Sequence, residues 1–414
     1  MKRFSSEFIE QVRQANDIVS VISDYVTLKR RGRNFWACCP FHNEKTASFS
    51  VAADKGFFYC FGCHAHGDVF QFIMKKENLS FSDAVERLAE RAHIALPVVE
   101  RSAEEIARDK QRDRLYQINE MAGNFFHNCL TQTHYGQPGL AYFHKRHVSD
   151  DTIEAFKLGF APESWDKLTT AFIKKGVTGR ELVLLGLAKE KNGHFYDAFR
   201  GRVMFPIRDG RSRIVGFGGR VLDDSKPKYL NSPETPIFNK RRLLFAMDLA
   251  HKAIYEQGKA ILVEGYMDVV SAHNRGIHNV VASLGTSFTP EQARLLQRQA
   301  KELVLGYDMD GAGRQATQRA MEIVRGLGMR IRVLSLPQGK DPDEYINAAG
   351  PDKFRQAVDE APNVLDYMLM RALQRFDVTT LEGKSSITAM VLPVVAAVDN
   401  RVLLEAFLKK LAGQ

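Results

Sequence analysis

The sequence predicts an α+β chain of several domains: a small β-rich module first, then a mixed α/β core with a parallel sheet, then a helical cap. Two sets of observations carry this. Cys39-Pro40-Phe41-His42 is followed, after 17 residues, by Cys60-Phe61-Gly62-Cys63. Further on, three short apolar runs lead into acidic words. Ala260-Ile261-Leu262-Val263 precedes Glu264, Leu303-Val304-Leu305 precedes Asp308-Met309-Asp310, and Ile331-Arg332-Val333-Leu334 precedes Asp341-Pro342-Asp343. Helix-like segments separate the runs, among them Thr289 to Gln299 and Ala312 to Leu327, so the runs read as strands of βαβ units.

Composition narrows the class. At 414 residues the chain exceeds one ordinary core, and roughly two to four domains are expected. With 44% hydrophobic and 26% charged residues it reads as soluble and globular. The sequence holds no run of 18 apolar residues, so no membrane span is expected. Met1-Lys2-Arg3-Phe4-Ser5-Ser6-Glu7 continues into an acidic amphipathic segment rather than the apolar block of a signal peptide, and a cytoplasmic address follows. The five cysteines are an odd number, with four between Cys38 and Cys63, which favours metal over disulfides. A net charge of +9 permits nucleic-acid binding without requiring it.

From Ser5 to about Val26, Phe8, Ile9, Val12, Ile18, Val19, Val21 and Ile22 suggest helical packing. Next, Leu28-Lys29-Arg30-Arg31-Gly32-Arg33-Asn34-Phe35-Trp36 is basic and closes on two aromatics. Cations beside rings suit single-stranded nucleic acid, with charge tracking phosphates and rings stacking on bases. The same rings equally suit a strand that packs a small core. The two knuckles follow, each with a spacer short enough for both donors to reach one ion. Cys39, His42, Cys60 and Cys63 are therefore the predicted ligands of one structural, tetrahedral zinc. Cys38 would make an x₃ knuckle with His42, and His64 and His66 are further candidates. Phe49-Ser50-Val51 and Gly56-Phe57-Phe58-Tyr59 alternate like strands of a zinc ribbon.

Phe70 to Arg91 reads as helical, with an N-cap at Ser80 or Ser82. A boundary is expected from Leu96 to Ala103, where Pro97 interrupts. Glu104 to Cys129 is helical, and Cys129, lacking a partner knuckle, reads as a buried thiol. Arg200 to Arg242 is rich in Arg and Lys, and its Gly218-Gly219 pair lets backbone approach a ligand or turn tightly. Beyond Asp343, Phe354 to Leu373 and Ser385 to Leu411 are helical and carry no chemistry of their own.

The acidic words share one consequence. In parallel sheets ligands gather beyond the carboxyl ends of the strands, and all three words fall there. Glu264, Asp308, Asp310, Asp341 and Asp343 are predicted to converge on one edge. Carboxylates held together repel unless hard cations such as Mg²⁺ or Mn²⁺ sit among them.

At these residues a resemblance becomes specific. Glu264-Gly265-Tyr266-Met267-Asp268, Asp308-Met309-Asp310-Gly311-Ala312-Gly313 and Asp341-Pro342-Asp343 resemble the Toprim signature. Ala282-Ser283-Leu284-Gly285-Thr286-Ser287, and separately the word from Cys39 to Asp68, are similar to bacterial DnaG-type DNA primases. Those primases usually carry Gly where Met309 stands. At φ > 0 Met309 would be strained by about 1 kcal/mol or more, and in extended backbone it would cost little.

The resemblance covers nearly the whole chain and implies its layout. Residues 1–96 would be a zinc-ribbon template-binding domain, 97–105 a linker, and 106–257 the N-terminal basic part of a polymerase core. Residues 258–345 would be the Toprim catalytic subdomain and 346–414 a helical subdomain. The implied activity is that of a DNA-directed RNA polymerase making short RNA primers from ribonucleoside triphosphates on single-stranded DNA. Glu264, Asp308 and Asp310 would be catalytic and, with Asp341 and Asp343, would hold two or more Mg²⁺ or Mn²⁺ ions. By matched position, Arg146, Arg202, Arg220, Lys228, Asn231, Lys240 and Arg241 would contact template, primer or triphosphate. The family's C-terminal domain for binding the replicative helicase has no counterpart on this reading. Two rivals exist: a Toprim topoisomerase or nuclease, which also needs a nucleophilic tyrosine in a suitable motif, and a non-catalytic zinc protein that binds single-stranded DNA.

Overall fold

The computed structural model describes residues 4–77, 79–97, 102–285, 287–307, 311–324, 326–336, 341–395 and 401–412. The chain divides into two compact units, Met1–Glu105 and Ile106–Gln414. Four residues of the expected linker, 98–101, lie outside the described residues.

The first unit is a five-stranded antiparallel sheet in sequential order: β1 Lys29–Arg31, β2 Asn34–Ala37, β3 Phe49–Ala52, β4 Phe57–Cys60 and β5 His66–Gly67. Helices Ser6–Ala15, Ile18–Ser23, Val69–Glu77 and Phe81–Arg91 supply the rest of its core. Each start is explained locally where a side chain caps it. Ser5 accepts from Phe8 N, Asp17 from Ser20 N and Ser80 from Asp83 N, so Ser80 rather than Ser82 is the cap. Val12, Ile22, Phe49, Val51, Phe58, Phe72 and Leu88 close the core. Phe58 is fully buried there, whereas Phe61 is 61% exposed and stacks on Trp36 at 5.9 Å. Phe61 and Phe57, not Phe58, are rings that this module offers to solvent.

In the second unit the helix Ala103–Gln132 lays Leu115, Ile118, Ala122 and Phe126 against a four-stranded antiparallel sheet. The strands are β6 Gly159–Ala161, β9 Arg202–Arg208, β10 Ile214–Val221 and β11 Tyr229–Asn231, in the order β11-β10-β9-β6. A separate hairpin, β7 Ala188–Lys191 and β8 His194–Asp197, lies between them in sequence. Pro206 is tolerated inside β9 because β6 pairs only as far as Met204, leaving no ladder bond for the missing N–H.

A parallel sheet follows: β12 Lys259–Val263, β13 Val280–Ala282, β14 Glu302–Gly306 and β15 Arg330–Val333, in the order β13-β12-β14-β15. Helices Tyr266–Asn274, Pro290–Gln297 and Gly311–Val324 make the crossovers. From Ala260 to Val263, and throughout β14, every residue is buried, as expected of strands covered on both faces. The three apolar runs are thus strands of one parallel sheet, as predicted. β13, three residues long, was not anticipated.

Helices Pro342–Ala349, Pro351–Glu360, Val364–Arg375, Leu381–Val395 and Arg401–Ala412 complete the chain. Leu365, Leu369, Ile387, Val391 and Phe407 form a small separate cluster among the last three. Among the described residues, no helix is long and apolar enough to cross a membrane.

Candidate functional site

Cys39, His42, Cys60 and Cys63 bring one donor atom each to within 4.8 Å of one another. Two thiolates at tetrahedral angles on a zinc with bonds of about 2.3 Å would be about 3.8 Å apart. The Cys39 and Cys63 sulfurs are separated by 3.7 Å, and Cys60 Sγ lies 3.9 Å from His42 Nδ1. The set therefore fits zinc as found. Backbone N–H groups of Phe41 and Cys63 donate to the Cys39 and Cys60 sulfurs, offsetting thiolate charge.

A fifth residue completes this centre. Glu44 sits 3.3 Å from His42 Nε2, the ring nitrogen away from the sulfurs. It also accepts from Cys39 N at 2.6 Å and Ser48 N at 3.2 Å. Such a carboxylate fixes the tautomer and the orientation of a ligating imidazole. Gly62 is equally constrained, since a Cβ there would lie 2.7 Å from His42 Nε2. His64 and His66 stand outside the cluster: His64 Nδ1 pairs with the Tyr59 hydroxyl, and His66 Nδ1 with the His64 carbonyl. Cys38 is exposed and also outside it, while Cys129 is buried and its thiol is pushed up to about 11 by that burial.

The second centre forms at the carboxyl edge of the parallel sheet. β12 runs to β13 on one side and β14 to β15 on the other, so the switch point lies between β12 and β14. Val263 and Gly306 are partners at their last rung. Glu264 follows the first, and Tyr307 leads from the second into residues 308–310. Asp308 and Asp310, the predicted ligand pair, and Met309 between them lie outside the described residues. Glu264 is half-buried, and together with burial it raises the Tyr307 phenol pKa.

The acidic words also hold each other. Gly265 opens helix Tyr266–Asn274, and Asp268 reaches back to accept from Gly265 N at 3.0 Å. The other oxygen of Asp268 accepts from Asp343 N at 3.2 Å, tying the first word to the third. Asp341 caps helix Pro342–Ala349, accepting from Glu344 N at 2.7 Å, with Pro342 at the first helical position. That Asp-Pro start is a cap signal legible in sequence. Asp343 is 2% exposed, and protein donors engage both its oxygens: Ser271 and Asn347 on one, Arg146 on the other.

Arg146 leads to the basic surface. Tyr142, Lys145, Arg146, His147, Arg220 and Asp343 are among the residues lining a cavity of about 680 Å³ beside the acidic edge. Lys228 and Arg241 are exposed, and Lys240 is half-buried in the turn before the parallel sheet. Two predicted contact residues are engaged within the fold. Arg202 is 7% exposed, and its guanidinium donates to the carbonyls of Gly219, Pro227 and Lys228. It shapes the loop between β10 and β11 from beneath. Asn231 accepts from the Tyr266 hydroxyl at 2.7 Å and donates to Leu284 O at 2.9 Å, so its amide is taken up in joining the two sheets. Gly218 has a packing reason too, because a Cβ there would meet the Tyr266 ring at 2.5 Å.

Comparison with known proteins covers nearly the whole chain. Residues 4–104 match a family model described as the CHC2 zinc finger, and 125–251 the N-terminal domain of the DNA primase catalytic core. Residues 261–346 match a Toprim-like model, and 365–414 the DnaB-helicase binding domain of primase. The last match overturns the expectation that a helicase-binding counterpart is missing. The tail's sequence shows only helical periodicity, and a docking surface made of ordinary helix residues has no spacing rule by which to read it. A DNA primase from Clostridium acetobutylicum is 41% identical over 99% of this chain and 68% of its own length. The solved zinc-binding and RNA polymerase domains of the Aquifex aeolicus primase align at 31% identity and a TM-score of 0.62, covering 99% of this chain and 96% of that one. A DnaG primase catalytic domain solved bound to ssDNA aligns at 35% identity and a TM-score of 0.65, over 74% of this chain and 100% of that one. The chain spans 60% to 70% of the length of the curated relatives it matches.

Proposed function

The chain belongs to the bacterial DnaG-type DNA primase family, and on that premise we propose that it is a DNA-directed RNA polymerase making short RNA primers on single-stranded DNA. The observation that carries this reading is the junction between the acidic edge and the basic cavity, made by the Arg146–Asp343 ion pair. A nucleotidyl transferase needs both: oxygen donors for metal, and fixed cations where phosphate charge gathers.

Glu264, Asp308, Asp310, Asp341 and Asp343 are the proposed set for Mg²⁺ or Mn²⁺, an all-carboxylate set suited to hard cations. Such ions, when bound, offset phosphate charge and make a hydroxyl more acidic. Glu264, Asp308 and Asp310 are the residues proposed to act directly. Asp341 and Asp343 also cap a helix and pair with Arg146, so that binding metal through them means exchanging those bonds. Asp268, bonded to both flanking words, keeps Glu264 and the Asp343 turn in register. Glu264 is also placed to hold or move a proton at the strand end.

Arg146, Arg220, Lys228, Lys240 and Arg241 are the proposed contacts to template, primer or triphosphate. The ribbon is proposed to grip template through Lys29 to Arg33 with Trp36 and Phe61, and residues 365–414 to dock the replicative helicase. A cytoplasmic location suits this work. Incubation with single-stranded DNA, four ribonucleoside triphosphates and Mg²⁺ should yield short RNA. DNA nicking or relaxation without RNA would replace this reading with the topoisomerase or nuclease one.

A further inference from the structure

Arg146 and Arg220 come from different elements, the end of helix Gln137–Lys145 and strand β10, yet both lie over one ring. Their guanidinium carbons sit 5.3 and 4.7 Å from the centroid of Tyr142. Two cations so placed repel each other, and each long side chain loses rotamer freedom by staying. Something must offset both costs. Arg146 is tied to Asp343, and among the described residues Arg220 has, besides Tyr142, a bond to its neighbour's carbonyl, Val221 O at 3.2 Å, and a looser approach to the Tyr229 ring at 5.9 Å. The Tyr142 ring offers a π face to both arginines. Burial raises the Tyr142 phenol pKa, with Arg146 and Arg220 pulling the other way.

We infer that Tyr142 is a positioning residue whose ring holds both Arg146 and Arg220 in place, so that together they present donors to phosphate oxygens in the cavity they line. This deepens the nucleic-acid reading proposed above and rests on it. Nothing in the sequence marks Tyr142, because its partners lie four residues away in one case and on a distant strand in the other.

The test is the affinity of the whole chain for a fluorescent oligo(dT), measured across a salt series. Tyr142→Leu should weaken binding roughly three- to tenfold, the size expected from losing a cation–π contact or two. It should also flatten the salt dependence, since fewer phosphates are neutralised. Tyr142→Phe keeps the ring and should recover most of the loss. Tyr142→Met, of similar bulk without a π face, should behave like Tyr142→Leu and serves if the latter melts early. When Arg146→Ala and Arg220→Ala are combined, adding Tyr142→Leu should cost nothing further. Unchanged binding by both folded ringless variants, or a loss that persists without the arginines, overturns the positioning role. Normal binding by the arginine-less protein would instead remove the nucleic-acid reading of the cavity, and the positioning role with it.

Discussion

The zinc centre and the carboxylate edge are built in opposite ways. The ribbon takes its outermost ligands, Cys39 and Cys63, from 24 residues apart, and two knuckles on adjacent turns fix the geometry locally. The acidic edge gathers Glu264 and the Asp341–Asp343 turn from opposite ends of a parallel sheet segment, and the pairing of β12 with β14, and of β14 with β15, brings their strands together. The first centre carries its geometry within one short stretch. The second borrows it from the fold. Loss of one ligand should therefore unfold the ribbon but merely disarm the core.

The largest effect tests the ribbon. Cys60→Ser leaves an incomplete shell, and structural zinc accounts for about 10 kcal/mol or more of apparent folding free energy in small zinc modules. One zinc equivalent should be lost and the first unit should melt, while the second, with its own clusters of buried residues, keeps its transition. Unchanged metal content by elemental analysis would reject the ligand set. The matching change in the core is Asp310→Ala. It should cut primer synthesis roughly a thousandfold, as expected for removing charge stabilisation from a reaction centre. The melting temperature should barely move, and single-stranded DNA affinity should hold level or rise slightly. A protein that unfolds on this change would show the edge to be as structural as the zinc centre.

That contrast also decides what was legible in sequence. All four zinc ligands could be read because their spacing alone sets the geometry. The core strands were visible as apolar runs, and the acidic words at their ends followed from the topology that such runs predict. The intramolecular bonds of Arg202 and Asn231 were not legible, because sequence reports charge and polarity but not which carbonyl or hydroxyl engages them. Gly218-Gly219 looked like space left for a ligand, and Gly218 proves to leave space for Tyr266. Phe58 and Phe61 share one aromatic stretch, and only the register of β4 tells which is core. Asp341 illustrates a signal passed over: Asp before Pro at a helix start is a cap in any protein.

A smaller effect should follow from separating the two units. Initiation must hold a template and two free nucleotides together, the step at which a second grip on the template contributes most. Deleting Met1 to Leu96 should reduce initiation on bare single strands roughly a hundredfold, the scale set by losing a tethered second binding module. Extension of a pre-annealed RNA primer should fall far less. Equal losses in the two assays, with the fragment shown folded, would place the ribbon inside the catalytic centre.

The smallest effect probes how self-contained the ribbon is. Glu44 holds four groups of the centre at once: the His42 ring at Nε2, the Cys39 backbone N–H, the Ser48 N–H and the Ser48 hydroxyl. Hydrogen bonding to Ser48 is the leading cause that keeps its carboxyl below the usual range, so it is ionised whenever zinc is bound. An anion at Nε2 keeps that nitrogen protonated and leaves Nδ1, which faces Cys60 Sγ at 3.9 Å, free to bind metal. Glu44→Gln keeps the shape and one acceptor oxygen but removes the charge. The fold should survive, with zinc affinity reduced about tenfold in competition with a chelator. Glu44→Ala, which also strands the Cys39 and Ser48 N–H groups, should lose more. If both variants retain zinc as the parent does, the four ligands alone determine the affinity, and the ribbon is more local in its construction than even its sequence spacing implies.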